Sequence, residues 1–180
     1  MSIESLEKLL EERLLPTSLI EVADEKIVVC SGAYDAGDVV SESTTAGTPW
    51  LFRNVVRENG GAGRIHDALV LAQTTAIASV FSMFLHKARP TCALNDDAAN
   101  TAFILADKDI AVVRIDFTAC DDVGTGMSES TATPSTYGKL PKTFVCNPHS
   151  RDLYGVMAIH NAVDLADNTI LRVILWIEQL

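Results

Sequence analysis

The chain has 180 residues, 48% of them hydrophobic but only 6% aromatic, which fits one domain with a largely aliphatic core. A formal net charge of −10 repels nucleic-acid phosphates and anionic membranes, so neither is an expected partner; a basic protein surface would be compatible.

The first residues, MSIESLEKLLEERLL, read as a short amphipathic helix. Ile3, Leu6, Leu10 and Leu14 recur at helical spacing, and Glu4, Glu7, Lys8, Glu11 and Glu12 fill the other side. Ser2 can cap it, Glu4 and Lys8 form an i,i+4 pair, and Pro16 ends it by pushing Leu15 out of α geometry. A helix this short is marginal alone in water. Residues 1–16 are therefore expected to form an arm whose apolar stripe docks on its own domain or on a neighbour. The acidic start is unlike a secretory leader, and no apolar run reaches the ~18 residues of a membrane span, so a soluble chain not exported by an amino-terminal signal is expected.

Residues 17–180 change character. SLIEVA and KIVVC read as strands split by a turn at Asp24-Glu25, and GDVVSES as another short strand. Residues 51–58 and RIHDALVLA flank the glycine-rich ENGGAG, so residues 47–73 are expected to form a hairpin. TTAIASVFSMFLHKA fits a helix through Ile77, Phe81, Phe84 and Leu85, or a strand through Phe81, Met83 and Leu85; its β-rich surroundings and closing Arg89-Pro90 favour the strand. In IAVVRIDF, Ala111, Val113, Ile115 and Phe117 alternate with Val112, Arg114 and Asp116, the period of a half-buried strand. DDVGTGMSESTATPST is a polar stretch expected to be a surface loop, and PSTYGKLPKTFVC passes from turn to strand.

DLYGVMAIH and TILRVILWIEQ are the last two strands. In the final one Leu171, Val173, Leu175 and Ile177 form one face, while Ile170, Ile174 and Trp176, interrupted by Arg172, form the other. A strand apolar on both faces is either central or meets another subunit. Ile170, Ile174 and Trp176, with the arm residues Ile3, Leu6, Leu10 and Leu14, are the candidate partner interface. About eight to ten short strands with frequent turn signals predict a mainly β chain, an antiparallel β-sandwich or jelly-roll domain over residues 17–180.

Little in the chain reads as chemistry. Asn95, Asp96, Asp97 and Asn100 offer oxygens, but without the alternation of a calcium loop, and Asx residues are the usual builders of turns; a structural turn is expected and no metal. ENGGAG and GTGMSES lack the spacing of phosphate-binding loops. His66, His86, His149 and His160 are scattered, and His66 is expected to face away from its neighbour Asp67. Asp121-Asp122 reads as a solvated turn. Cys30, Cys92, Cys120 and Cys146 form no C-x-x-C pair and no histidine stands at zinc-finger spacing from them; free buried thiols are expected, with a long-range disulfide the open alternative. No catalytic, cofactor-binding or metal residues are assigned, and no enzyme activity is expected.

Several stretches carry a resemblance. DAGDVVSES, GTPWLFRNVVRENGGAGRIHDALV and FLHKARPTCALNDDAANTAFILADKDI resemble a group of tailed-bacteriophage virion structural proteins of this length. Pro90-Thr91 after a strand, the Asn95-Asp96-Asp97 turn, Ala106-Asp107 before the next strand, and the ending LPKTFVC, RDLYGVMAIHNA and ILRVILWIEQL carry it over roughly residues 35–180. The group resembles capsid decoration, or cement, proteins. That implies a non-enzymatic β domain without cofactors, made in the host cytoplasm and placed on the phage head. Its implied partners are the major capsid protein and further copies of itself, as a homotrimer. A tail, baseplate or fibre-attachment protein is the alternative, and a jelly-roll carbohydrate-binding or hydrolase domain a third.

Overall fold

The computed structural model describes residues 17–29, 33–132, 140–163, 165 and 168–180. The predicted helix over Ile3, Leu6, Leu10 and Leu14 lies outside the described residues. Among the described residues the strands are β1 (Ser18–Val28), β2 (Val39–Val40), β3 (Trp50–Phe52), β4 (Ala62–Ala72), β5 (Val80–His86), β6 (Ala111–Ala119), β7 (Asp121–Asp122), β8 (Ser128–Thr131), β9 (Lys142–Val145), β10 (Leu153–Ile159) and β11 (Thr169–Gln179). The only helical element among them is a single 3-10 turn at Leu105–Asp107.

The strands form two antiparallel sheets. The larger has six strands in the order β1-β11-β4-β8-β7, with β9 also on β4. Strands β8 and β9 share one edge of β4: β8 pairs with residues 69–72 and β9 with residues 62–65. The smaller has five strands in the order β2-β10-β5-β6, with β3 also on β10.

Alternation explains the arrangement. Leu171, Val173, Leu175 and Ile177 of β11 and Ile65, Ala68, Val70 and Ala72 of β4 all enter one apolar cluster. Phe81, Met83 and Leu85 of β5, Val113, Ile115 and Phe117 of β6, and Leu153, Met157 and Ile159 of β10 enter the same cluster from the smaller sheet. Trp50, Tyr34 and Phe52 supply its bulk. Each fully buried aliphatic or phenylalanine side chain contributes about 1.5–3 kcal/mol, which is how an aromatic-poor chain builds a stable core. The ambiguous segment around Phe81 is a strand, and β11, apolar on both faces, lies between β1 and β4.

Four expectations differ from the fold. Asp24-Glu25 is no turn: β1 runs unbroken and pairs with β11 along its whole length. Asp24 and Lys26 alternate inward with Val22 and Val28, and the Asp24 carboxylate accepts the Leu51 N–H at 2.7 Å, so polar residues here join β1 to β3.

Residues 47–73 are not a hairpin. β3 pairs with β10 in the smaller sheet and β4 with β11 in the larger, so the segment crosses between sheets. Residues 53–58, expected to be strand, form the crossing, with Val55 and Val56 buried beneath it. The glycines serve close approach: a Cβ on Gly60 (φ 72°) would stand 3.1 Å from the Pro148 Cα, and one on Gly63 2.7 Å from the Phe144 ring.

The polar stretch after Cys120 contains the β7–β8 hairpin. Its inward residues are Ser128 and Ser130, whose hydroxyls reach the Thr74 and Thr118 carbonyls at 2.8 and 2.5 Å. Finally, β4 carries a bulge at His66, because Asp67 pairs with Trp176 and Ile65 with Ile177. The extra residue leaves His66 and Asp67 both exposed instead of on opposite faces.

Candidate functional site

The outer face of the larger sheet is built by the residues that alternate with its core. On β11 these are Ile170, Arg172, Ile174, Trp176 and Glu178. The register puts Ile174 between Ala23 and Leu69, Arg172 between Glu25 and Leu71, and Trp176 between Glu21 and Asp67. Ile27 of β1 sits opposite Ile170, and Leu19 opposite Glu178. The three candidate interface residues Ile170, Ile174 and Trp176 therefore share one face, as their spacing predicted, and β1 and β4 widen it with apolar residues that the sequence did not mark.

The exposure of this face is graded. Ile174 at its centre is 7% exposed yet belongs to neither buried cluster, while Leu19 and Ile27 on the edge strand stand 64% and 51% exposed. Charge interrupts the face at the Glu25–Arg172 row and beside Trp176, and closes one end of it: His66 meets the Glu178 carboxylate at 3.0 Å, and Arg64 lies 3.5 Å from the same carboxylate. The His66 contact, opposed by a small cost of burial and helped by Arg64, holds the Glu178 carboxyl below its ordinary value. Exposed apolar residues interleaved with ionic ones have the mixed layout of a protein-binding surface.

The outer face of the smaller sheet is covered. Val39, Phe84, Val156 and Ala158 pack with Cys92 in a second cluster, closed over by Ala93, Leu94 and Ala102 from residues 87–110. Phe103 stands edge-on to Phe84 at 5.3 Å and is itself 39% exposed. Ile104 and Leu105 follow at 40% and 79%, making an apolar tip on the side opposite the larger sheet.

The Asn-Asp stretch fastens that cover. Asp96, 3% exposed, accepts the Tyr34 hydroxyl and the Ser41 N–H, each at 2.7 Å. Asn95 accepts the Gly47 N–H at 3.0 Å, Asn100 the Ala102 N–H at 2.9 Å, and Asp97 takes a left-handed φ of 59°. Burial pushes the Asp96 carboxyl up, against the pull of its two donors. The expected turn closes on itself, through the Ala98 N–H to the Asn95 carbonyl at 3.3 Å and through Asn100, while the side chains of Asn95 and Asp96 bind backbone from a different loop.

Four side chains, from Ser82, Arg114, Asp116 and His160, meet outside β5. The Ser82 hydroxyl contacts the Asp116 carboxylate and lies 2.6 Å from His160 Nε2; Arg114 Nε donates to Asp116 at 2.5 Å. In a nucleophilic relay the carboxylate orients the imidazole through its other nitrogen. Here Asp116 bonds the serine and stands 4.0 Å from the very nitrogen that meets Ser82, and Ser82 is wholly buried. The group is a polar clamp joining β5, β6 and the end of β10. Burial, then Arg114, pushes the His160 imidazole down, against the pull of Asp116.

The thiols of Cys92, Cys120 and Cys146 are free, and burial pushes each up to about 11, which makes them inert as nucleophiles; Cys30 lies outside the described residues. Comparison with known proteins finds no family model that matches this chain and no curated protein that matches it.

Proposed function

We propose that this chain is a non-enzymatic structural protein of a tailed-bacteriophage particle: a decoration, or cement, protein that sits on the outside of the head and ties neighbouring major capsid proteins together. One observation carries the reading. A single β domain presents an apolar face on the larger sheet and, on its opposite side, the apolar tip at Phe103, Ile104 and Leu105. A protein that bridges two bodies needs two such surfaces. The sequence resemblance to phage virion proteins supplies the setting.

In this reading the two sheets with their shared core are a jelly-roll-like sandwich. The Ile170, Ile174 and Trp176 face meets further copies in a homotrimer, and residues 1–16 act as a tether whose Ile3, Leu6, Leu10 and Leu14 stripe docks on a neighbouring chain. Each bridge buries area worth roughly 25 cal/mol per Å² before association costs, and repetition over the shell raises its resistance to internal pressure.

The test is to prepare particles without the protein and heat them. DNA release at a lower temperature, restored by adding the purified chain, is the expected result. Unchanged heat tolerance with lost adsorption to host cells would replace the head assignment with a tail or fibre-attachment role.

A further inference from the structure

We propose that His86, Cys92 and Asp107 form a transition-metal site, suited to Zn2+, that pins residues 87–110 onto the smaller sheet. The three come from separate places: the end of β5, the segment after Arg89-Pro90, and the 3-10 turn. Their donor atoms all lie within 4.8 Å of one another. All three are buried, with His86 wholly so, Asp107 2% exposed and Cys92 6% exposed.

The histidine carries the argument. Neither His86 ring nitrogen makes a hydrogen bond of good geometry among the described residues, although the ring is fully enclosed; the Phe84 and Tyr154 carbonyls lie near it without closing such a bond. A buried imidazole whose nitrogens lack well-formed bonds bears much of the desolvation penalty of its polar atoms, and native folds rarely leave that uncompensated. A metal ion between His86, Cys92 and Asp107 satisfies it.

The surroundings fit a metal in three further ways. Thr91 holds the Asp107 carboxylate twice, by its N–H at 2.9 Å and its hydroxyl at 2.8 Å, the outer-shell support that orients a ligating carboxylate. Phe103 stands edge-on to the His86 ring at 5.0 Å and shields the site from water. The charges cancel, since a dication with one thiolate and one carboxylate is neutral and can be buried without a net charge. The mixed nitrogen, sulfur and oxygen set favours Zn2+ over Ca2+ or Mg2+, which take oxygen alone. Donors around tetrahedral zinc stand about 3.3–3.8 Å apart, so these side chains need only draw inward by about 1 Å. A water molecule would complete the four positions.

A zinc ligand set takes histidine as the neutral imidazole and cysteine as the thiolate. Metal entry therefore expels the Cys92 proton to solvent and leaves a thiolate on the ion. Such a bond has a structural use: the cover is a long connection whose apolar cluster is small, and a metal fastens its two ends to β5. This inference does not depend on the phage assignment.

The full-length chain, purified without added chelator, should carry one zinc per chain by elemental analysis. Replacing zinc with Co2+ should give a thiolate-to-cobalt band in the near ultraviolet and tetrahedral bands in the visible. Cys92→Ser should abolish the near-ultraviolet band, and the control Cys120→Ser should keep it. A chelator should lower the melting temperature of the parent chain and leave that of Cys92→Ser unchanged. If Cys92→Ser does not fold, the parent's cobalt spectrum and its one-to-one titration still decide. A parent chain that binds neither Zn2+ nor Co2+, or whose cobalt spectrum survives in Cys92→Ser, overturns the proposal. The neighbouring Phe84 and Tyr154 carbonyls then account for His86.

Discussion

Lys26 of β1 and Glu42, just after β2, join the edges of the two sheets. The Lys26 ammonium is 6% exposed, yet it bonds the Glu42 carboxylate and the Thr48 carbonyl (2.7 Å) and lies 5.7 Å from the centre of the Trp50 ring. Lys26→Met should cost about 2–3 kcal/mol in urea unfolding, because it leaves a partly buried carboxylate and a carbonyl without their donor. Adding Glu42→Gln to that variant should recover part of the loss. Equal and additive losses from the two single changes would show that the pair is not coupled.

The same pair sets a pH dependence. Burial pushes the Glu42 carboxyl up, but bonds from Lys26, Thr48 and Ser41 outweigh it and hold it at about 2. A carboxyl depressed on folding contributes its stability above its unfolded value near 4.5, and that contribution fades as pH falls toward about 2. Denaturation midpoints of the parent should therefore drop between those limits more steeply than those of Glu42→Gln. Parallel curves would remove Glu42 from the acid response.

Gly47 is a steric requirement. A Cβ there would lie 1.9 Å from the Leu94 carbonyl oxygen, and its N–H binds Asn95. Backbone blocks backbone, so Gly47→Ala should destabilise by roughly 2–4 kcal/mol and loosen the loop that Asn95 and Asp96 fasten. Gly126, with open space around its missing Cβ, is the control: Gly126→Ala should move thermal unfolding by no more than about 0.5 kcal/mol.

Leu19 and Ile27 separate binding from folding, because both are largely exposed on the proposed contact face. Leu19→Glu with Ile27→Lys should leave the melting temperature of the free chain nearly unchanged and weaken assembly or particle binding at least about tenfold. Trp176, half-buried on the same face, gives an optical readout, since covering it should shift its emission to the blue. Full binding by the double variant would move the contact elsewhere.

Deletion of residues 1–15 tests the arm. The remaining chain should unfold at the same denaturant concentration as the parent and attach more weakly to shells or to neighbouring copies. Failure of the shortened chain to fold would make Ile3, Leu6, Leu10 and Leu14 part of its own core.

Alternation was legible wherever apolar side chains wrote it. β6 and β11 follow from their period-2 patterns, and Ile170, Ile174 and Trp176 could be placed together on one face. Polar alternation was not legible: Ser128 and Ser130 point inward with hydroxyls bonded to carbonyls, which from sequence looks like a loop. Nor could sequence show which sheet a strand joins, so β3 and β4 read as neighbours although they lie in different sheets. The bulge at His66 shifts the register by one residue and is invisible to a strict period. His86, Cys92 and Asp107 were unreadable as a group because a sheet and a folded-back loop, not a spacing, bring them together.

The placement of β11 between β1 and β4 has a consequence during synthesis on the ribosome. Among the described residues β1 pairs with β11 alone, and Ser18 bonds Gln179 across 161 positions of chain. At roughly 5–20 residues per second, β1 waits on the order of ten to thirty seconds for its partner to be translated. Through that interval it is an unpaired strand beside other nascent chains. Glu21, Asp24, Glu25 and Lys26, which break its apolar pattern, make it a poor template for a wrong neighbour, so the charges that obscured β1 in the sequence also protect it until β11 arrives.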